Sequence, residues 1–328
     1  MNRQFRYVVP VIAIAAVMAV SADHAQAAAR GDFERTLQVS GPVNLDINTG
    51  SGKIDVRSGN SSQVRVVGHI QVSDWFAAGT SAEEKVKRLQ ANPPIQQSGN
   101  DIRIGHIDDP ELRRNVSISY EVIVPAETQL HSQTGSGNQV IDGINGIVET
   151  SAGSGGVKIS NIGNTLRVET GSGDIEVDRV KGNVRARAGS GSIRATGVGG
   201  GFEATTGSGH ITLEQTAPGA VRAGTGSGGM ELHGVRGSLE AKAGSGAIRA
   251  DGDPTGQWLV RTGSGSVELR LASNASFDVD ARTSSGSISV EQPVTMQGSL
   301  ERKHIQGKVR GGGVPVEVET GSGNIRIE

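Results

Sequence analysis

The chain has 328 residues, of which 49 are glycine and 3% aromatic, and it contains no cysteine. So few large apolar side chains exclude a thick globular core, and the missing cysteine excludes both a disulfide framework and an N-terminal lipid anchor. A formal charge of −2 gives no electrostatic reason to expect nucleic acid or an anionic membrane as partner.

At the N-terminus, Arg3 and Arg6 precede an apolar run from Tyr7 to Val20 and the small-x-small triplet Ala25-Gln26-Ala27. That order is the pattern of a secretory signal peptide, so residues 1–27 are expected to be removed and the mature, extracytoplasmic chain to begin near Ala28. A membrane anchor needs roughly 20 apolar residues; this run is shorter and contains Pro10. Loss of Arg3, Arg6 and Asp23, a net +1, leaves −3. Residues 28–328 are expected to form one repeat domain, with a helical insertion over about 75–95, regular rungs over about 130–271 and less regular rungs over 272–328.

The first Gly-Ser-Gly tripeptide is at Gly50 and the second at Gly135, an 85-residue gap. Within that gap the pattern predicts a helix over Ser81 to Ala91. Ser81 and Glu84 have capping-box spacing, Glu83 with Lys87 and Glu84 with Arg88 are i, i+4 pairs, and Pro93-Pro94 stops the run. Val86 and Leu89, with nearby Trp75 and Phe76, supply an apolar stripe that should cover the N-terminal end of a stack. Strands follow over Asp101 to Gly105 and Val116 to Val124.

From Gly135 the tripeptide recurs at Gly153, Gly171, Gly189, Gly207, Gly226, Gly244 and Gly263, in steps of 18, 18, 18, 18, 19, 18 and 19 residues, then at Gly321, with a Ser-Ser-Gly variant at Ser284. A flexible linker keeps no such register. Stacking the repeats on this corner gives apolar columns: Val148, Leu166, Val184, Phe202, Val221, Leu239, Trp258 before it and Val157, Ile175, Ile193, Ile211, Met230, Ile248, Val267 after it. A further inward column holds Ile159, Val177, Ala195, Leu213, Leu232, Ala250 and Leu269. A third inward position, Ile162, Val180, Val198 and Val235, precedes a second turn at Gly163, Gly182, Gly199 and Gly237. Each rung should therefore carry about three short inward segments, with glycine at the corners for its positive φ.

The outward column Lys158, Glu176, Arg194, Thr212, Glu231, Arg249, Glu268 places opposite charges on neighbouring rungs, as a ladder of cross-strand pairs requires. The expected fold is all-β: a single parallel β-helix, a solenoid expected to be right-handed, of roughly ten rungs and near 50 Å at about 4.8 Å each. Its end, Phe277 to Glu328, still offers strands at Ser287 to Val290, Val314 to Glu319 and Asn324 to Ile327.

The Thr-Gly-Ser-Gly-x-Ile repeats, the lead-in Val116 to Pro125, the turn Gly311-Gly312-Gly313 and the terminal Glu319 to Ile325 together resemble the bacterial β-strand-repeat family labelled "putative adhesin". The resemblance covers nearly the whole mature chain. It implies a β-helix-like fold and an extracytoplasmic setting, and it brings no catalytic residues.

No residue is assigned a catalytic, cofactor-binding or metal-ligating role, and no cofactor is expected. The Gly-Ser-Gly corners lack the strand-turn-helix setting and the lysine of a phosphate loop. Ser154, Ser172, Ser190, Ser208, Ser227, Ser245 and Ser264 are expected to stack as a hydroxyl ladder. The seven histidines lack metal-ligand spacing, and His210 and His233 are placed on outward corners. An envelope glycan or surface protein is the expected partner of a non-enzymatic envelope protein, a periplasmic envelope-stress accessory role being the second binding reading. The rival class is a carbohydrate-active β-helix enzyme, a polysaccharide lyase or hydrolase. Its best carboxylates would be Asp251 with Asp253, Asp278 with Asp280, or the loop Asp108, Asp109, Glu111, Arg113 and Arg114.

Overall fold

The computed structural model describes residues 28–59, 62–73, 81–295 and 302–328. The expected leader, Trp75 and Phe76 lie outside the described residues. Strand alternation becomes two long sheets of 14 and 15 strands. A regular rung gives one strand to each, as when Val148–Ala152 turns at Gly153 into Val157–Ile162. Five strands are antiparallel end pieces: Ala29–Gln38 and Gln63–Val72 in one sheet, Ile95–Ser98, Val294–Thr295 and His304–Val309 in the other. Setting these aside leaves twelve parallel strands in each sheet, a stack of roughly 50 Å at about 4.8 Å per level. The chain is an all-β parallel solenoid, as its periodicity requires.

The columns pair residue for residue. Val148 faces Leu166, Leu166 faces Val184 and Val184 faces Phe202, and Ile175, Ile193 and Ile211 lie in one line. All are buried. Two residues past Phe202 and Leu239, the facing positions Ala186, Ala204, Ala223 and Ala241 are small, so bulky and small columns alternate and the sheets can approach over a thin core.

Each rung has two inward segments, not three. Ile162, Val180 and Val198 end the same strands that begin at Val157, Ile175 and Ile193. They face inward because the residue before each has positive φ: Asn161 at 57°, Arg179 at 54° and Gly197 at 68°. That left-handed residue breaks the two-residue alternation and returns the next side chain to the core. Of the four glycines expected to supply positive φ at this second turn, only Gly237 has it, at 145°.

Glycine at the Gly-Ser-Gly corner is required by contact. A Cβ on Gly155, Gly173, Gly191 or Gly209 would fall well inside 3.0 Å of the carbonyl oxygen of the matching glycine one level back. The serines between these glycines are exposed. The buried hydroxyl ladder belongs instead to the preceding threonines. Thr206 Oγ1 donates to the Gly191 carbonyl at 2.7 Å and accepts from Gly209 N at 3.2 Å; Thr170 and Thr225 repeat the arrangement.

At the N-terminal end, the helix Ala82–Ala91 starts at Ser81, whose side chain accepts from Glu84 N, and buries Val86 and Leu89. Arg88 pairs with Asp109 rather than Glu84, at 3.3 Å. A Cβ on Gly31 would strike Val86, which is how closely the helix covers the Ala29–Gln38 strand. The charged loop forms a second short helix, Pro110–Arg113, capped by Asp109.

Gly191→Ala is expected to lower stability by about 1–3 kcal/mol through corner overpacking, whereas Ser190→Ala at the exposed neighbour should stay within about 0.5 kcal/mol of wild type. Urea denaturation of both variants checks this.

Candidate functional site

At the N-terminal end of the 15-stranded sheet, the hairpin Ile95–Ser98/Asp101–Ile104 continues the outer face beyond the strand Val43–Thr49. Period-two alternation turns Asn44, Asp46, Asp101, Arg103, Gln129 and His131 outward on neighbouring strands, because Leu45, Ile102 and Leu130 fill the core. With Gln96 and Glu149 they line a groove of about 1000 Å³. Ile147 lies beside them at 42% exposure, one of two exposed large hydrophobics among the described residues.

Part of the groove is fixed internally. Asn44 Nδ2 donates to Asp101 Oδ1 at 2.7 Å, Gln133 Nε2 is 2.9 Å from His131 Nε2, and His131 is 3.8 Å from Glu149. The side chains of Asp46, Gln96, Arg103 and Gln129 make no hydrogen bond or ion pair to the described residues. Farther along the rod, outward charges neutralise one another: Lys158–Glu176 at 3.1 Å, Arg185–Glu203 at 2.5 Å, and Arg249 with Glu231 and Glu268 at 3.5 and 3.4 Å. The sequence left these groove residues unassigned because the groove depends on which strands flank Val43–Thr49, and those pair with it from 57 and 85 positions away.

The candidate carboxylates stand apart. Asp251 accepts from Gly234 N at 3.0 Å and lies 2.5 Å from His233 Nδ1 on the 14-stranded sheet, while Asp253 is exposed. His233 therefore lies on a strand face rather than a corner. Asp108 is 3.0 Å from His106, and Asp109 is a helix cap. Asp280 is held by Arg282 at 2.8 Å and His304 at 3.0 Å. Glu317, unmarked in the sequence, comes opposite Asp280, and both line a cleft of about 410 Å³ with Asp278 and Lys308. Among the described residues no three His, Asp or Glu side chains are grouped to hold a metal ion.

Two parallel sheets joined by repeated corners define the chain as a β-solenoid repeat protein. It belongs to the Toastrack DUF4097 family, whose profile matches residues 96–328. The match leaves out the helix and the first rung, which the resemblance read from the sequence had included. No curated protein sequence matches the chain. Among solved structures, a "putative cell adhesion protein" from Clostridium sporogenes ATCC 15579 aligns at 12% identity and a TM-score of 0.26, over 91% of this chain and 99% of that one. A "putative adhesin" from Bacteroides fragilis NCTC 9343 aligns at 14% identity and 0.30, over 91% and 97%. Among the described residues no helix is long and apolar enough to cross a membrane.

One outward carboxylate on the 14-stranded sheet is buried. Asp55, 7% exposed, lies between Lys53 at 3.0 Å and Arg57 at 2.9 Å. Burial pushes its carboxyl up, but the bonds from Arg57 and Lys53 outweigh burial and hold it below the ordinary aspartate range. A lowered folded value means stabilisation that is present above the unfolded pKa and lost as pH falls through the folded one. Asp55→Asn should therefore cost about 1–3 kcal/mol near neutrality, and the difference from wild type should shrink as pH falls below the ordinary aspartate value of 3.8. Denaturation midpoints across that range check the sign.

Proposed function

We propose that the protein is a non-enzymatic, extracytoplasmic binding rod of adhesin or envelope-interaction type, and that the N-terminal groove holds a hydroxyl-rich envelope glycan. The observation behind this reading is the convergence, in one groove beside exposed Ile147, of Asp46, Gln96, Arg103 and Gln129, whose side chains make no hydrogen bond or ion pair to the described residues. Planar amides, a carboxylate and a guanidinium offer paired donors and acceptors at fixed spacing, which suits neighbouring hydroxyls on a sugar ring. Ile147 supplies an apolar surface for the ring's C–H face. The signal-peptide pattern of residues 1–27 supports export, and N-terminal sequencing of the exported chain should start near Ala28.

The test is calorimetric titration with soluble peptidoglycan and outer-polysaccharide fragments. Asp46→Ala combined with Arg103→Ala should weaken binding at least about tenfold, or 1.4 kcal/mol. Unchanged affinity would remove the groove from the reading.

The enzyme reading gains one observation, the register pairing of Asp280 with Glu317 beside Lys308. Polysaccharide cleavage abolished by Asp280→Ala or Glu317→Ala, or by Asp251→Ala or Asp253→Ala, would establish it. Glycan binding without bond cleavage, surviving all four substitutions, supports the binding rod.

A further inference from the structure

Two rungs sit out of chain order. The N-terminal rung, Val43–Thr49 with Ile54–Gly59, lies between Asp101–Ile104 with Val116–Pro125 and Thr128–Thr134 with Gln139–Asp142. The C-terminal rung, Val314–Ser322 with Ile325–Ile327, lies between Trp258–Ser264 with Val267–Leu271 and Phe277–Ser285 with Ile288–Val290. In both cases the flanking rungs are consecutive in sequence. The last segment of the chain thus occupies a slot one rung wide.

Both walls of the C-terminal slot carry the repeat's own bonding surface. Thr320 Oγ1 donates to the Gly265 carbonyl on one wall at 2.9 Å, and Thr283 Oγ1 on the other wall donates to the Gly323 carbonyl at 3.0 Å. Inward, Val316 meets Trp258 on one side and Val279 on the other. Charges select the occupant: Arg261–Glu319 at 3.3 Å, Arg270–Glu328 at 3.2 Å and Arg326–Glu291 at 2.6 Å. An empty slot that closed would bring Arg261 beside Arg282, since both lie in register with Glu319. The slot therefore favours being filled over collapsing.

The tether is short and strained. His304–Val309 pairs with one edge of Phe277–Ser285 and Val314–Ser322 with the other, so the turn between them must cross over Phe277. It does so with three consecutive positive φ values, 51° at Arg310, 90° at Gly311 and 87° at Gly312. Arg310 holds a conformation that non-glycine residues seldom adopt, and a Cβ on Gly312 would overlap Asp278. This is the function of the triple-glycine turn that the sequence singled out.

We propose that the slot is an exchange site for a second copy of this chain: the Val314–Ile327 segment of one molecule fills the slot of another, with the Arg310–Gly313 turn opening into an extended link. Exchange keeps every hydrogen bond and ion pair of the closed rung and releases the turn. It is opposed by the entropy of association, so the exchanged fraction rises with protein concentration.

The chain has no cysteine, which permits a direct test. Arg261→Cys in one population and Glu319→Cys in another place the two thiols opposite each other only when one molecule's segment lies in the other's slot. Mixed at high concentration and oxidised, the populations should give a disulfide-linked heterodimer, and the yield should rise several-fold when Gly312→Ala is added to both. The doubly substituted single chain, oxidised when dilute, should cross-link within itself, showing that the fold and thiol geometry survive. Unlinked mixtures alongside efficient intrachain linking would overturn the proposal, as would a Gly312→Ala yield that stays the same or falls.

Discussion

Backbone contact between successive Gly-Ser-Gly corners is the constraint on which the rest of this solenoid depends. The corner glycines leave no room for a Cβ against the carbonyl one level back, from Gly137 over Gly52 through to Gly286 over Gly323. Buried threonine hydroxyls then bond across the same contact, so the stack is fixed in register as well as spacing. A slip of one residue would reverse every inward side chain, and this corner prevents it. With few aromatic residues available, order comes from repeated short contacts rather than from one thick interior.

The same constraint explains what could be read from sequence. Because the corner recurs every 18 or 19 residues, counting from it placed the columns of Val148, Val157 and Ile159 in the core, and put Lys158 against Glu176 and Glu231 against Arg249. The kink at Asn161 and Arg179 was not legible, since asparagine favours positive φ but arginine at the same position one rung on does not, and without it the third inward position looked like a separate segment. Serine, invariant between the corner glycines, suggested the hydroxyl ladder; the threonine before them alternates with Ala152, Ala188 and Ala243 and drew less notice. Buried Gln139 broke an apolar column without warning. Its amide is satisfied by Ser132, Thr150 and the Ser151 carbonyl, partners seven to twelve residues away on either side and joined only by the fold.

Chain order was the larger obstacle. Gly50 and Gly321 match the repeat in composition but not in period, and each proves to stack directly on a regular corner, Gly135 over Gly50 and Gly321 over Gly263. A periodic count assumes that neighbours in sequence are neighbours in space, and the intercalated end rungs violate that assumption. The groove inherits the difficulty: its walls assemble only once Val43–Thr49 is placed between the strands of residues 101–104 and 128–134.

The two ends therefore differ in kind from the middle. Along the regular rungs each outward charge tends to find an opposite one a level away or two residues along, as Arg167 and Arg187 both do with Glu169, and such exposed pairs spend their hydrogen-bonding capacity on each other. A surface satisfied in that way offers a partner little beyond shape. At the N-terminal end Asp46 and Arg103 stand opposite each other on neighbouring strands, make no ion pair to the described residues, and face a concavity. The irregular C-terminal rung keeps its outward charges paired, as Arg261 with Glu319 and Arg326 with Glu291, so the unsatisfied polar side chains gather at the N-terminal end.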